Sequence, residues 1–302
     1  YSPEFITNKF ADTPTNRTII SLFSQDRLKL LLKYAIAYVE KEDNNGNRTL
    51  EKHIMRYPQF FASKAMQNKL DKGIKKGIIW HTQGSGKTAL AFYSVRWLTD
   101  YFQKNNIIPK FYFIVDRLDL QTQATKEFIG RGLKVNTANS RQDFVDDIKK
   151  VASKTNLSGQ NEITVVNIQK FSEDATVTKS DYDVNTQRIY FIDEAHRSYK
   201  PTGSFLSNLT NSDPNAIFIS LTGTPLLGNG KNRISSTKIW GDYIHKYYYN
   251  SSIADGYTLK LIREGIETKY KVQLEEVLAN ITVKDQDIEA KNVFAHKKFV
   301  EP

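Results

Sequence analysis

The segment from His81 to Thr88 combines two glycines, a lysine and a threonine at the spacing of a phosphate-binding loop. Glycine allows backbone conformations in which successive N–H groups point at one anion, and a helix that begins at the loop adds its positive end. In such loops the lysine reaches the β- and γ-phosphates, and the hydroxyl holds the Mg²⁺ that bridges them. The residues predicted to bind a nucleotide here are Gly84, Ser85, Gly86, Lys87 and Thr88. The pattern G-x-x-x-x-G-K-[ST] is broken only at its first position, where His81 replaces glycine.

Two adjacent carboxylates, Asp193 and Glu194, follow a second apolar run. Asp193 is placed to hold the Mg²⁺, usually through water, while Glu194 can orient and deprotonate an attacking water. A strand that simply ends in a polar turn would give the same pair. The position of this pair, far downstream of a phosphate loop in an alternating α/β pattern, favours nucleotide hydrolysis.

The elements that must position these residues alternate from residue 77 onward between short β-rich runs and helical stretches. This pattern predicts a parallel sheet flanked by helices. The predicted strands are 77–80, 111–115, 133–136, 163–166, 189–192 and 217–221, and the predicted helices are 87–101, 119–128 and 142–151. Asn139 or Ser140 would cap the last helix. Ligands of such sheets bind at the carboxyl ends of the strands, where both motifs fall.

The two ends of the chain carry weaker patterns. Residues 1–24 are predicted to be extended, followed by an amphipathic helix over 26–40 and an exposed loop over 42–47. A second helix is predicted from Pro58 toward Lys72. Beyond residue 240 we expect a short helix near Ile253 and a strand over 268–274.

The amino-acid composition indicates a globular, basic protein. Forty-three Lys and Arg against 33 Asp and Glu give a net charge of +10, which favours a polyanionic partner, although a basic surface without a partner is the alternative. Cysteine is absent, which excludes a disulfide framework and suits a reducing cytosol. No apolar run approaches the roughly 18 residues of a membrane helix, so we expect no membrane partner.

The box Asp193-Glu194-Ala195-His196 and the later segment Ser220-Leu-Thr-Gly-Thr-Pro225 resemble motifs of the helicase and translocase superfamily 2, whose members carry a DEAD or DEAH box. The resemblance implies a RecA-like P-loop domain that uses ATP and Mg²⁺. It also implies that His196 contacts the later segment and couples hydrolysis to movement on nucleic acid. The residues given this coupling role are Thr222, Gly223 and Thr224.

Three further stretches are similar to the motor subunit of type I restriction enzymes: His81 to Thr88, Val115 to Gln123, and Trp240 to His245. This similarity extends over about residues 56–256. It implies that Gln59, in Arg56-Tyr-Pro-Gln59, recognises adenine through two hydrogen bonds. It further implies backbone contacts to DNA, which carry no sequence information, from Arg117, Gln123, Thr164, Gln169 and Lys170. A solvated surface position is the alternative for each of these five.

The same resemblance implies a domain plan: a helical lead-in over 1–72, a first motor lobe over 73–262, and a connector over 263–302. In the family a second motor lobe supplies arginines that complete the ATP site, and a nuclease domain lies upstream. Neither has a counterpart in this sequence, so we expect weak hydrolysis by the chain alone. The implied partners are double-stranded DNA and the modification and specificity subunits, in a bacterial or archaeal cytoplasm.

Two alternatives stay open at this point. One is a superfamily 2 helicase of repair or RNA metabolism, which would be stimulated by single strands. The other is a nucleotide-gated DNA-binding module without hydrolysis. The presence of Lys87, Asp193 and Glu194 argues against the second alternative, because a binding module has no use for the residue that activates water.

Overall fold

A computed structural model of the chain describes residues 13–42, 46–149, 161–168, 186–193, 205–227 and 235–260, and positions 270, 272–273 and 275–276. The chain divides into two compact units, Tyr1–Thr258 and Leu259–Pro302. In the second unit, positions 270, 272–273 and 275–276 are helical, and positions 259–260 have no regular secondary structure.

The amino-terminal part of the first unit contains helices and one antiparallel hairpin. In chain order its elements are α1 (Pro14–Phe23), α2 (Gln25–Leu30) with a π-helical turn (Leu31–Ala35), β1 (Ile36–Glu42), β2 (Arg48–Ile54) and α3 (Tyr57–Asp71). Strands β1 and β2 pair with each other and not with the main sheet. Thr13 caps α1, since its Oγ1 accepts a hydrogen bond from the Asn16 backbone N–H at 3.1 Å.

The remainder of the first unit is an α/β domain. Its strands are β3 (Lys76–His81), β4 (Ile108–Val115), β5 (Lys134–Ala138), β6 (Glu162–Asn167), β7 (Thr186–Asp193), β8 (Ile217–Thr222) and β9 (Tyr243–Tyr247). Its helices are α4 (Lys87–Gln103), α5 (Leu118–Gly130), α6 (Arg141–Lys149), α7 (Phe205–Ser212), α8 (Ser236–Trp240) and α9 (Tyr249–Ala254). The sheet order is β5-β6-β4-β7-β8-β3-β9, and every described pair of neighbours is parallel.

Both faces of the sheet are covered, which explains why its strands read as continuous apolar runs. Side chains alternate between two cores. Ile79, Phe113 and Phe191 face one core with α3, α4 and α5, whereas Ile78 and Tyr190 face the other with α6, α7 and α8. The prediction of a parallel sheet with flanking helices is confirmed, and each of the six predicted strands is present.

The predicted helix over 26–40 is wrong beyond Ala35. The carbonyl of Ala35 accepts from the N–H of Met55 at 2.7 Å, and Arg96 of α4 donates to the carbonyls of Lys33 and Ile36 at 3.0 and 2.7 Å. These contacts use carbonyl groups that a continuing helix would need for its own hydrogen bonds, and the chain leaves as β1 instead.

Smaller differences from the predictions occur elsewhere in the chain. Residues 14–23 are helical and not extended, strands β2 and β9 were not predicted, and positions 270 and 272–273 are helical where a strand was expected. The short helix near Ile253 is confirmed as α9. Ser140 is the cap of α6, because its Oγ accepts from the Asp143 N–H at 3.1 Å.

Candidate nucleotide-binding site

The phosphate loop joins β3 to α4 with two residues in the left-handed region of backbone conformation. Gly84 has φ +79° and Gly86 has φ +80°, angles that side chains with a Cβ rarely adopt. Gly86 is also the amino-terminal cap of α4, and its carbonyl accepts the first helical hydrogen bond, from Leu90 N–H at 2.9 Å. The loop therefore delivers the chain directly into a helix whose first N–H groups face outward.

Ser85 fixes the loop from within. Its Oγ donates to the carbonyl of Thr82 at 2.6 Å, and its backbone N–H donates to the same oxygen at 3.3 Å. The side chain is buried. Ser85 was predicted to bind the nucleotide; in the structure its hydroxyl shapes the loop, and contact with a nucleotide stays a prediction.

Gln59 is buried and lies against this loop. Its Nε2 donates to the carbonyl of Gly86 at 2.9 Å and approaches that of Ser85 at 3.4 Å, while its Oε1 accepts from the Arg56 N–H at 2.9 Å. A Cβ on Gly86 would lie 2.6 Å from this nitrogen, so a larger residue there would displace the Gln59 amide, while the φ of +80° is what favours glycine. In this structure the Gln59 amide binds the phosphate loop, and contact with an adenine stays a prediction.

Lys87 and Thr88 are the first two residues of α4, and both are partly exposed. A lysine at this place can reach the phosphates of a nucleotide held by the loop, and a threonine hydroxyl can ligate Mg²⁺. In the part of the chain that the structure describes, no group of three or more His, Asp or Glu side chains forms a metal cage. A Mg²⁺ ion here would fit the usual arrangement, in which substrate phosphates and water complete the coordination of one or two protein ligands.

Asp193 and the segment from Thr222 to Thr224 lie at the same edge of the sheet as the loop. Strand β8 separates β3 from β7, with Thr222 beside Trp80 and Leu221 beside Asp193. Asp193, partly exposed, ends β7. Parallel pairing thus places the predicted metal ligand and the predicted coupling segment at the carboxyl ends of adjacent strands.

The predicted coupling segment lies directly against the phosphate loop. Trp80 Nε1 donates to the carbonyl of Gly223 at 3.0 Å. A Cβ on Gly223 would lie 3.4 Å from the His81 carbonyl and from the Gln83 nitrogen. The indole of Trp80 is thus a link between the strand that begins the loop and the strand that ends in the coupling segment, and no sequence motif had indicated it.

His81, the residue that departs from the general loop pattern, is buried and pairs with a second histidine. Its Nε2 lies 2.8 Å from Nδ1 of His245 on β9, and one of the two nitrogens donates. Burial, reinforced by the nearby His245 and Lys87, holds the pKa of His81 well below its usual range. Burial lowers the pKa of His245 to about 4. Both rings are therefore neutral at physiological pH and join the phosphate loop to the edge strand.

This pair predicts a loss of stability in weak acid. The unfolded histidines bind protons near their ordinary pKa of 6.5, whereas folded His245 does so only near 4. The contribution of neutral His245 to the free energy of unfolding is thus fully present above pH 6.5. It is lost as the pH falls toward 4, and the total loss is on the order of 3 kcal/mol. Urea unfolding of wild type and His245→Gln between pH 7.5 and 4 measures it, and the variant should show the shallower decline. Parallel declines would contradict the lowered pKa of His245.

The residues predicted to contact DNA fall in different environments. Arg117, which precedes α5, and Gln123, within that helix, are exposed. Thr164 is buried within β6, and its Oγ1 donates to Asp147 of α6 at 3.2 Å, a placement that gives its predicted DNA contact no support. Gln169 and Lys170 lie outside the described residues, as do the predicted catalytic Glu194 and the predicted coupling His196.

Taken together, a parallel α/β sheet with a phosphate loop after one strand and an acidic residue after a nearby strand defines a RecA-like P-loop domain. The sequence profile of one family in that class, the SWI2/SNF2 ATPase, matches residues 58–293. The chain belongs to the SWI2/SNF2 ATPase family.

The resemblance to type I restriction motor subunits is also confirmed by curated relatives. The chain is 28% identical to the type I restriction enzyme HindI endonuclease subunit of Haemophilus influenzae, over 77% of this chain and 23% of that protein. It is 30% identical to the SsaAORF53P endonuclease subunit of Staphylococcus saprophyticus, over 71% of this chain and 22% of that protein. The chain spans less than a quarter of the length of these two relatives.

Among solved structures, the ATP-dependent Type ISP restriction-modification enzyme LlaBIII bound to DNA is similar, with a TM-score of 0.50 and 14% identity. The likeness covers 70% of this chain and 16% of that one, and it supports the fold.

Proposed function

We propose that this chain is the first motor lobe of a type I restriction endonuclease subunit and that it uses Mg-ATP to move along double-stranded DNA. One observation carries the proposal: the loop ending in Gly86 leads directly into α4 and lies beside the strand ends that carry Asp193 and Thr222. Membership in the SWI2/SNF2 ATPase family and similarity to restriction endonuclease subunits support it.

In this mechanism each part of the site has one task. Backbone N–H groups of the loop and Lys87 bind the phosphates, and Thr88 and Asp193 hold Mg²⁺. When held by these two residues, Mg²⁺ would supply positive charge that offsets the negative charge of the phosphates. Glu194 orients and deprotonates the attacking water. A second motor lobe would supply the arginines that stabilise the transition state.

Coupling to movement would use the contact between Trp80 and Gly223. A change at the phosphate loop would shift the 222–224 segment through this hydrogen bond and through the close approach of Gly223 to the loop backbone. His196 would contact the 222–224 segment and couple ATP hydrolysis to movement on DNA. The exposed side chains of Arg117 and Gln123 would bind the phosphate groups of the DNA backbone. The net charge of +10 supports a DNA partner. The nuclease domain, the modification subunit and the specificity subunit would be the remaining partners.

A comparison of ATP turnover rates with different nucleic acids tests this proposal. In a protein that also contains the second motor lobe, ATP turnover should rise with double-stranded DNA and respond less to single-stranded DNA or RNA of the same length. Because all three are compared on one protein, the ranking does not depend on the absolute rate. A higher rate with single strands would support a helicase instead. Glu194→Gln should abolish turnover and leave nucleotide binding intact, whereas a binding module would lose no function.

A further inference from the structure

Two tyrosines and one aspartate form a compact cluster beside the nucleotide site, here called the tyrosine clasp: Tyr57, Tyr247 and Asp255. The hydroxyls of Tyr57 and Tyr247 both donate to Oδ2 of Asp255, at 2.5 and 2.6 Å. The two rings meet edge to face, with centroids 5.9 Å apart and an interplanar angle of 89°. The clasp joins the first residue of α3 to β9 and to the end of α9.

The chemistry of the clasp fixes its protonation state. A carboxylate can only accept hydrogen bonds, so both hydroxyls must donate to it. The hydrogen bonds from Tyr247 and Tyr57 lower the pKa of Asp255 below its ordinary value. Burial and the bond to Asp255 raise the pKa of Tyr247 to about 12. The carboxylate is charged and the Tyr247 hydroxyl is protonated throughout the neutral range, which favours strong, charge-assisted hydrogen bonds.

Asp255 is itself held in place by its backbone. It caps the carboxyl end of α9, and its N–H donates to the carbonyl of Ser251 at 3.0 Å. Helix α9 follows directly after β9, the edge strand that pairs with β3 and also carries His245. The clasp therefore anchors α3 to the sheet through a backbone that is already fixed.

The turn of α3 that Tyr57 begins is the turn that touches the phosphate loop. Gln59 donates to the Gly86 carbonyl at 2.9 Å, and Arg56 donates through Nη1 to the Gly84 carbonyl at 3.2 Å. The Arg56 guanidinium also lies 4.2 Å from the ring centroid of Tyr257, shortly after the clasp aspartate in the chain. The start of α3 is thus bound to the phosphate loop on one side and to the 247–257 segment on the other.

We propose that Asp255 is a positioning residue of the nucleotide site, because its hydrogen bonds with the two tyrosines hold the first turn of α3, and with it the Gln59 amide, against the phosphate loop. This inference rests on the proposed function, since it assumes that the loop binds a nucleotide. Asp255 itself makes no contact with the loop. Its effect on nucleotide affinity passes through Tyr57 and Gln59.

The same helix provides a matched control at its other end. Tyr101 of α4 donates through its hydroxyl to Oδ1 of Asp71, the last residue of α3, at 2.8 Å. This pair has the same chemistry as the clasp and ties the same helix to a neighbour. It is remote from the turn that carries Gln59, so removing it tests the structural effect of losing a tyrosine–aspartate bond on α3.

The experiment compares Asp255→Asn and Tyr57→Phe with Asp71→Asn and Tyr101→Phe in the 302-residue chain. The affinity for a fluorescent ATP analogue with Mg²⁺ is measured by titration, and the midpoint of thermal unfolding is measured for each variant. We expect the two clasp variants to raise Kd by about five- to tenfold, the change that one hydrogen bond produces. The two control variants should lower the unfolding midpoint by a similar amount and leave Kd unchanged. Asp255→Glu, which keeps the carboxylate, should restore part of the affinity.

Equal Kd values for clasp variants, control variants and wild type would overturn the positioning role and leave the proposed function intact. Equal losses of affinity in the clasp and control variants would also overturn it, since they would show a general effect on α3. A wild-type chain that binds no nucleotide would overturn both proposals. If Asp255→Asn fails to fold, Tyr57→Phe decides the matter, because it removes a single hydroxyl from a half-exposed side chain.

Discussion

Replacing Lys87 with alanine should weaken the binding of Mg-ATP by about 10- to 100-fold, because it removes charge-assisted hydrogen bonds to the phosphates. The measurement is the Kd of a fluorescent ATP analogue in the presence of Mg²⁺. Lys104 provides the control, since it is an exposed lysine at the carboxyl end of the same helix. Lys104→Ala changes the net charge equally and should leave Kd unchanged.

The neighbouring threonine separates the two roles assigned to the start of α4. Thr88→Ala should bind the analogue as tightly as wild type when Mg²⁺ is chelated and more weakly when Mg²⁺ is present. If Lys87→Ala and Lys104→Ala weakened binding to the same small extent, the attraction between the protein and the ATP analogue would be a general effect of charge. The loop would then not be the phosphate site.

The largest effect on stability should come from Asp213, which pairs with Arg188 in the core. Arg188 is 4% exposed and Asp213 is 2% exposed, and two guanidinium nitrogens of the arginine donate to the carboxylate. Tyr190 adds a third hydrogen bond to it, at 3.4 Å. Removing the carboxylate takes the negative charge of Asp213 away from a buried cation, so Asp213→Ala should reduce the free energy of unfolding by about 3–5 kcal/mol.

Urea unfolding measures this loss, and an exposed ion pair provides the comparison. Lys41 Nζ and Glu51 Oε2 lie 2.7 Å apart across the hairpin of β1 and β2, and both side chains are about half exposed. Glu51→Ala should reduce the free energy of unfolding far less than Asp213→Ala does, because solvent screens the exposed pair. Similar losses in Asp213→Ala and Glu51→Ala would show that burial does not set the strength of the Arg188–Asp213 pair.

The central sheet could be predicted from sequence because its strands are covered on both faces. Apolar runs such as 111–115 and 189–192 are then continuous and bounded by polar turns. The β1 strand was missed for the opposite reason. Ala37 and Val39 are buried while Tyr38 and Glu40 are exposed, an alternation too short to outweigh the helical spacing that precedes it. The order of the strands depends on crossovers through space, which spacing along the chain does not encode.

Some features of the candidate site could also be predicted from sequence, and others could not. The left-handed glycines and the helix that begins at Lys87 are local features, so a motif of eight residues predicts them. The contacts of Gln59 with Gly86 and of His81 with His245 join residues far apart in the chain, and no local pattern specifies them. Thr164 shows the limit of transferring a role by motif. Its place in the segment suggested a DNA contact, and its hydroxyl instead bonds to Asp147.

Hydrogen exchange of the chain, with and without a non-hydrolysable ATP analogue and Mg²⁺, tests most directly whether the loop is the nucleotide site. The loop amides and those at the start of α4 should be protected when the analogue binds, together with the first turn of α3 that carries Gln59. Peptides from the hairpin of β1 and β2 should exchange at the same rate in both states. Binding of the analogue without protection of residues 82–90 would contradict the assignment of this loop as the nucleotide site.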